Sequence, residues 1–125
     1  MKTSELVLNF LRSQGFCPEV EDNGNIYFKF QMRNFLYINN DEDNDFFQLL
    51  MPAIYEINED NRDVALEAAN KVNSGMKVAK ASVINDNVWL FFEILLDQSP
   101  AIEDIFPRAL EILQAAQQRF YQEIG

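Results

Sequence analysis

The chain has 125 residues and a mass of 14.5 kDa, the size of one domain that buries a core without disulfides or a metal. Ten Lys and Arg against twenty Asp and Glu leave a formal charge of −10, which argues against unaided binding to a phosphate backbone. Histidine is absent, which removes the commonest general base and zinc ligand, and the single cysteine, Cys17, rules out an internal disulfide or a CxxC pair.

The first residues, Met1 to Glu5, lead into apolar positions interrupted by Asn9 and Arg12, so no secretory apolar region is expected. The most apolar run, Val88 to Leu96, is broken by Glu93 and falls far short of the ~20 residues that cross a bilayer as a helix. A cytoplasmic protein without membrane contact is the expectation.

Thr3 or Ser4 is placed to cap a first helix, with Glu5 at its positive end and Leu6, Val7, Phe10 and Leu11 on one face. Gly15 supplies a left-handed stop, with Phe16 packing back on the last turn. Asn23-Gly24 predicts a hairpin turn. Ile26, Phe28, Phe30 and Met32 then alternate with Tyr27, Lys29 and Gln31, the period of a half-buried strand. Arg33-Asn34 predicts the return into Phe35 to Ile38, and Asn39 to Asp45 a polar turn. Phe46 to Met51 reads as a strand that Pro52 ends or places at an edge. Ala53 to Ile57 is ambiguous, with continuation past a bulge as one reading.

Glu59-Asp60-Asn61 opens a second helix, whose stripe of Val64, Ala65, Ala68, Ala69 and Val72 lets it sit close to a sheet before Ser74-Gly75 stops it. Met76 to Ile84 and Val88 to Leu96 predict a hairpin around Asn85-Asp86. With a two-residue turn, Val83 faces Val88, Ala81 faces Leu90 and Ala79 faces Phe92, a surface suited to a helix. The other face pairs Ser82 with Trp89 and Lys80 with Phe91, and carries Glu93 and Leu95. Ser99-Pro100 predicts the start of a last helix, which Pro107 either kinks or restarts. Phe106, Leu110, Leu113, Phe120 and Ile124 follow at helical spacing. The expected fold is a single α+β domain over residues 1–125, an antiparallel sheet of five or six strands with three helices on one face, in the order α-β-β-β(-β)-α-β-β-α.

Asp41, Asp43 and Asp45 match the first alternating ligands of a calcium loop, but Phe46 stands where a glycine is needed and Pro52 where a bidentate glutamate is needed. A solvated loop is the better reading. Glu93 is the one acid in a strongly apolar strand, yet Lys80 lies diagonal to it, and a cross-strand ion pair explains it without catalysis. Cys17 has no histidine to activate it, and Glu19 and Glu21 disfavour a thiolate, so a buried or half-buried structural thiol is expected. No nucleophile elbow and no phosphate-binding glycine loop is present. Neither a metal nor a cofactor is expected, and no enzymatic activity.

The aromatic face of the second hairpin remains. Two readings stand: the last helix covers it as core, or Lys80, Trp89, Phe91 and Leu95 form a partner or subunit interface. A ligand pocket between sheet and last helix is the rival, with Tyr27, Tyr37, Tyr55 and Glu93 as its only polar suppliers.

The segment Ala65-Leu66-Glu67-Ala68-Ala69-Asn70-Lys71-Val72-Asn73 leads into Lys77-Val78-Ala79-Lys80, a polar turn, Val88-Trp89-Leu90 and a long amphipathic helix. This pattern resembles the YbjN-like family of bacterial proteins, described as sensory transduction regulators and sharing the fold of type III secretion chaperones. The resemblance implies a small non-enzymatic domain, acidic and homodimeric, that acts through contacts with a protein partner.

Overall fold

The structure, a computed structural model, describes residues 2–43 and 46–125. Its elements are α1 (Thr3–Ser13), β1 (Glu19–Val20), β2 (Ile26–Phe30), β3 (Arg33–Tyr37), β4 (Phe46–Glu56), α2 (Arg62–Gly75), β5 (Ala79–Ile84), β6 (Asn87–Leu95) and α3 (Ile102–Ile124). The six strands form one antiparallel sheet in the order β1-β2-β3-β4-β6-β5. This is the expected α+β architecture, with β1 as the additional strand.

α1 ends as its sequence dictates. Gly15 takes φ +84°, and the N–H groups of Gly15 and Phe16 donate back to the carbonyls of Arg12 and Leu11. Its start differs from expectation: Lys2 holds the cap position, and Ser4 lies inside the first turn. The Ser4 hydroxyl donates to Asp41 Oδ2 at 2.7 Å and the Ser4 N–H donates to Asp41 Oδ1 at 3.4 Å. A carboxylate from the β3–β4 loop thus sits at the positive end of α1. The candidate calcium ligand Asp41 is employed in that contact, while Asp45 lies outside the described residues.

The β2–β3 turn falls on Gln31-Met32, both at positive φ, and not on Arg33-Asn34. This register sets Phe28 opposite Phe35, with ring centroids 5.3 Å apart and nearly parallel planes, and both are fully buried. Met32 is left fully exposed at the turn, and Arg33 reaches α3, where its Nε donates to Gln117 Oε1 at 2.6 Å. β4 runs through Pro52 by means of an irregularity between Met51 and Tyr55, with Ala53 at φ +48°. Pro52 is therefore not on an edge strand, because β4 lies between β3 and β6. The Tyr121 hydroxyl from α3 donates to the Ile54 carbonyl of this irregular stretch at 2.8 Å.

Asn61 precedes α2, but its side chain makes no cap bond to the helix; its Oδ1 instead accepts from the Asn58 N–H at 2.8 Å. Ala65, Ala68, Ala69 and Val72 are buried against the sheet, whereas Val64 is exposed. α3 starts at Ile102, past Ser99-Pro100, and continues through Pro107 as one helix. It buries Ile102, Phe106, Ala109, Leu110, Leu113, Ala116 and Phe120. Its far end is tied to α2 by Glu123, which meets Lys71 Nζ at 3.1 Å and Arg119 Nε at 3.0 Å. Hydrogen bonds from Lys71 and Arg119 hold the Glu123 carboxyl below the usual range.

Asn73, near the end of α2, closes the outer edge of β5. Its Nδ2 donates to the Ala81 carbonyl at 3.0 Å and its Oδ1 accepts from the Ala81 N–H at 2.7 Å, so the amide takes the place of a neighbouring strand. Asn73→Ala is expected to cost about 1–3 kcal/mol, since it strands two backbone groups. Asn73→Asp, which keeps the acceptor, should cost less; urea titration of the three proteins checks the order.

The core gathers the helices and one sheet face, with Phe106 at its centre against Phe10, Phe28 and Phe47. Tyr37 is buried on this side, and its hydroxyl meets no hydrogen-bond partner among the described residues. Burial, with the nearby Asp41 carboxylate adding to it, pushes the Tyr37 hydroxyl well above the ordinary tyrosine range. A folded-state pKa above the unfolded one gives a contribution that is complete below about pH 10 and lost as pH rises past it. Stability is expected to decline above pH 10 more steeply in the wild type than in Tyr37→Phe, which denaturant melts across that range will read.

Candidate interaction surface

Strand alternation sends the other side chains to the opposite face of the sheet. The pairings Glu19–Tyr27, Tyr27–Leu36, Leu36–Leu50, Leu50–Phe91 and Phe91–Lys80 run as one row across all six strands. A second row holds Gln48 and Glu93, with Ile38 beside them, since the Ile38 N–H donates to the Gln48 carbonyl. A third holds Lys29 with Asn34, and Trp89 with Ser82. Phe46 and Leu95 pair at one end.

No helix of the described residues lies over this face. Among the described residues, the side chains packed on the core include none of Tyr27, Leu36, Ile38, Phe46 and Trp89, and Leu50 and Phe91 are buried only among their own neighbours. α3, expected on one reading to cover Trp89 and Phe91, lies on the other side with Phe92, Leu90 and the small residues of β5. The hairpin itself has the expected register: Asn85 and Asp86 take positive φ, Val83 faces Val88, and Lys80 faces Phe91.

Lys80, Trp89, Phe91 and Leu95 therefore share one surface. Phe91 is buried, Trp89 half-buried, and Leu95 is 77% exposed. Lys80 Nζ lies 2.8 Å from Glu93 Oε1 and 4.9 Å from the centre of the Phe91 ring. The second oxygen of Glu93 accepts from the Gln48 side-chain amide. The one acid in this apolar strand is thus satisfied on both oxygens and held in place, as the ion-pair reading expects. Leu36, Ile38, Leu50 and Phe46 belong to the same surface. The sequence alone does not group them, because no local turn signal sets the register between β3 and β4.

The proposed polar suppliers of a pocket do not converge. Tyr37 and Tyr55 lie on the helix side, where Tyr55 packs on Phe120, while Tyr27 and Glu93 lie on the open side. A hollow of about 660 Å³ is a surface groove between the end of α1 and β2, lined by Phe16, Cys17, Tyr27 and Lys29, and does not lie under α3. Cys17 is exposed there, contrary to the expected buried or half-buried thiol, because the chain has already left α1 at Gly15. Among the described residues, no group of three or more His, Cys, Asp or Glu is placed to hold a metal, and no helix is long and apolar enough to cross a membrane.

No family model matches the chain, and no curated protein is similar to it. Among solved structures it is similar to a chain of the crystal structure of the ExsC–ExsE complex, with a TM-score of 0.61 and 16% identity over 94% of this chain and 92% of that one. The fold is that of the type III secretion chaperones. At this identity the likeness concerns the fold alone, and the surface chemistry must be read from this chain's own residues.

Proposed function

We propose that the chain is a non-enzymatic protein-interaction module that binds another polypeptide on its open sheet face, with Trp89, Phe91 and Leu95 as apolar anchors and Lys80 as a polar guide. The observation that carries this reading is a six-stranded face over which, among the described residues, no helix lies, where Leu36, Ile38, Phe46 and Trp89 are half-buried and Leu95 exposed around the buried Leu50 and Phe91. A monomeric soluble protein rarely leaves a contiguous apolar surface of that breadth uncovered, and aromatic side chains are the usual anchors where it does. The solved neighbour is itself a protein in complex with another, ExsE, which supports a chaperone-like manner of working. The YbjN-like pattern from Ala65 to Leu90 adds a regulatory role in the bacterial cytoplasm, exercised through that contact, and homodimerisation.

Site-specific photo-crosslinking tests it. A benzophenone amino acid at position 89 should join the chain to a polypeptide in its native cytosol, and the same group at Arg108, exposed on α3, should not. Equal labelling from both positions, or none from position 89, contradicts the reading.

A further inference from the structure

The pairing of β3 with β4 stops short. Leu36 lies opposite Leu50 and Tyr37 opposite Leu49; the same register continued would set Asn34 on Pro52 and Arg33 on Ala53, and neither pair forms. On its other edge β4 pairs Met51 with Leu90 and resumes at Tyr55 with Val88. Pro52, Ala53 and Ile54 therefore run through a central strand with no partner residue in either neighbouring strand. Where the ladder parts there is a hollow of about 200 Å³, with Arg33 and Asn34 on one wall, Met51 to Ile54 on the other, and Gln117 and Tyr121 of α3 beside them. A second hollow of about 460 Å³ shares Arg33, Gln117 and Tyr121 with it and adds the exposed amides of Gln118 and Gln122.

The two walls differ in chemistry. Arg33 is half-buried and its guanidinium is held in place, Nε donating to Gln117 Oε1 at 2.6 Å and Nη1 to the Gln31 carbonyl at 3.3 Å. Three of its five N–H donors are left without an acceptor among the described residues. Arg62, Arg108 and Arg119 each meet a carboxylate, whereas among the described residues Arg33 meets none. No Asp or Glu lines either hollow, although the chain carries twenty. The Ile38 N–H donates across to the Gln48 carbonyl, so by the two-residue period of a strand Asn34 turns its own N–H and C=O toward the same side, into the gap. The β4 wall is poorer in donors, because Pro52 has no N–H. Its Ile54 carbonyl accepts from the Tyr121 hydroxyl and keeps a second lone pair.

A ligand matched to these walls has a carboxylate at one end and a cationic donor at the other. We propose that the hollow between β3, β4 and α3 binds a small zwitterionic amino acid, its α-carboxylate on the remaining N–H groups of Arg33 and the N–H of Asn34, and its α-ammonium on the carbonyls of Pro52 to Ile54. A planar guanidinium fork suits a carboxylate, and a formal charge of −10 repels a simple anion while leaving a zwitterion nearly indifferent. A volume of about 200 Å³ is on the order of seven waters, which limits the side chain to the size of that of alanine or serine. The site lies on the helix side of the sheet, where Arg33 reaches α3, so it stands or falls independently of the open face.

Titration of the ¹⁵N-labelled full chain with L-alanine, read in ¹H–¹⁵N correlation spectra, tests this. Saturable shifts are expected at the Arg33 Nε–H, the Asn34, Ala53 and Ile54 amides and the Gln117 side chain. Propionate lacks the ammonium and L-alaninamide lacks the carboxylate, and each should bind at least about 10-fold more weakly than L-alanine. Inorganic phosphate should bind no better than propionate. Arg33→Lys, which keeps the charge and loses the planar fork, should weaken L-alanine at least about 10-fold. Should that variant fail to fold, the four compounds compared on the wild type decide the matter. The absence of saturable shifts up to about 100 mM L-alanine, which corresponds to a binding free energy too small for a site, overturns the proposal. So do shifts confined to other surfaces, propionate or phosphate binding as well as L-alanine, or a folded Arg33→Lys that binds as tightly as the wild type.

Discussion

Phe106→Ala should destabilise the chain by about 3–5 kcal/mol, the largest loss expected from any single truncation in α3. Phe106 is fully buried and meets the rings of Phe10, Phe28 and Phe47 at centroid distances of 5.4, 5.7 and 5.9 Å. It therefore joins α1, β2 and β4 to the last helix, and the surrounding rings are too rigid to close the gap. A domain of this size holds about 5–15 kcal/mol in total, so the variant should melt roughly 10–20 °C lower and approach the limit of folding. Phe106→Leu, which keeps most of the volume, should lose less than about half as much. Calorimetry of both variants checks the ratio, and a small effect of the alanine would mean that α3 is not seated as described.

Leu36→Glu should reduce self-association about 100-fold while leaving the isolated chain within about 1 kcal/mol of its wild-type stability. Leu36 is half-buried and lies in the middle of the long row, paired with Leu50 of β4. In a single copy the new carboxylate can reach water; between two copies it is desolvated, once from each side. Association and melting temperature should part company in this variant. If both fall together, Leu36 belongs to the core of one chain and the face is not open.

Local signals carried much of the fold. Asn85-Asp86 between two apolar runs determined the β5–β6 register to the residue, and with it the Lys80–Glu93 pair. The alanine stripe of α2 was equally legible, because close approach to a sheet requires small side chains. What stayed hidden depends on residues far apart in the chain. Gln31-Met32 contains neither Gly nor Asn, and that turn is accompanied by contacts such as Phe28 on Phe35 and Arg33 with Gln117 of α3. The cap of α1 comes from Asp41, distant in sequence, so no inspection of Thr3 or Ser4 reveals it. Pro52 reads as a terminator because the backbone irregularity that accommodates it in a central strand has no glycine to announce it. The aromatic face of β6 was visible as a pattern, but which side α3 would choose was not, since both faces are apolar. The small side chains of Ala79 and Ala81 decide it, by leaving room for helices on one side only.

Trp89 is the sole tryptophan and stands on the open face, so its fluorescence reports that surface and no other. The deciding measurement is acrylamide quenching of this residue as protein concentration rises from nanomolar to hundreds of micromolar, alongside mass by light scattering. Quenching that falls as the mass doubles, with one midpoint for both, is the expected result. Quenching that stays constant while the mass doubles places the contact elsewhere on the molecule, and contradicts the claim that the chain meets its partner through this sheet.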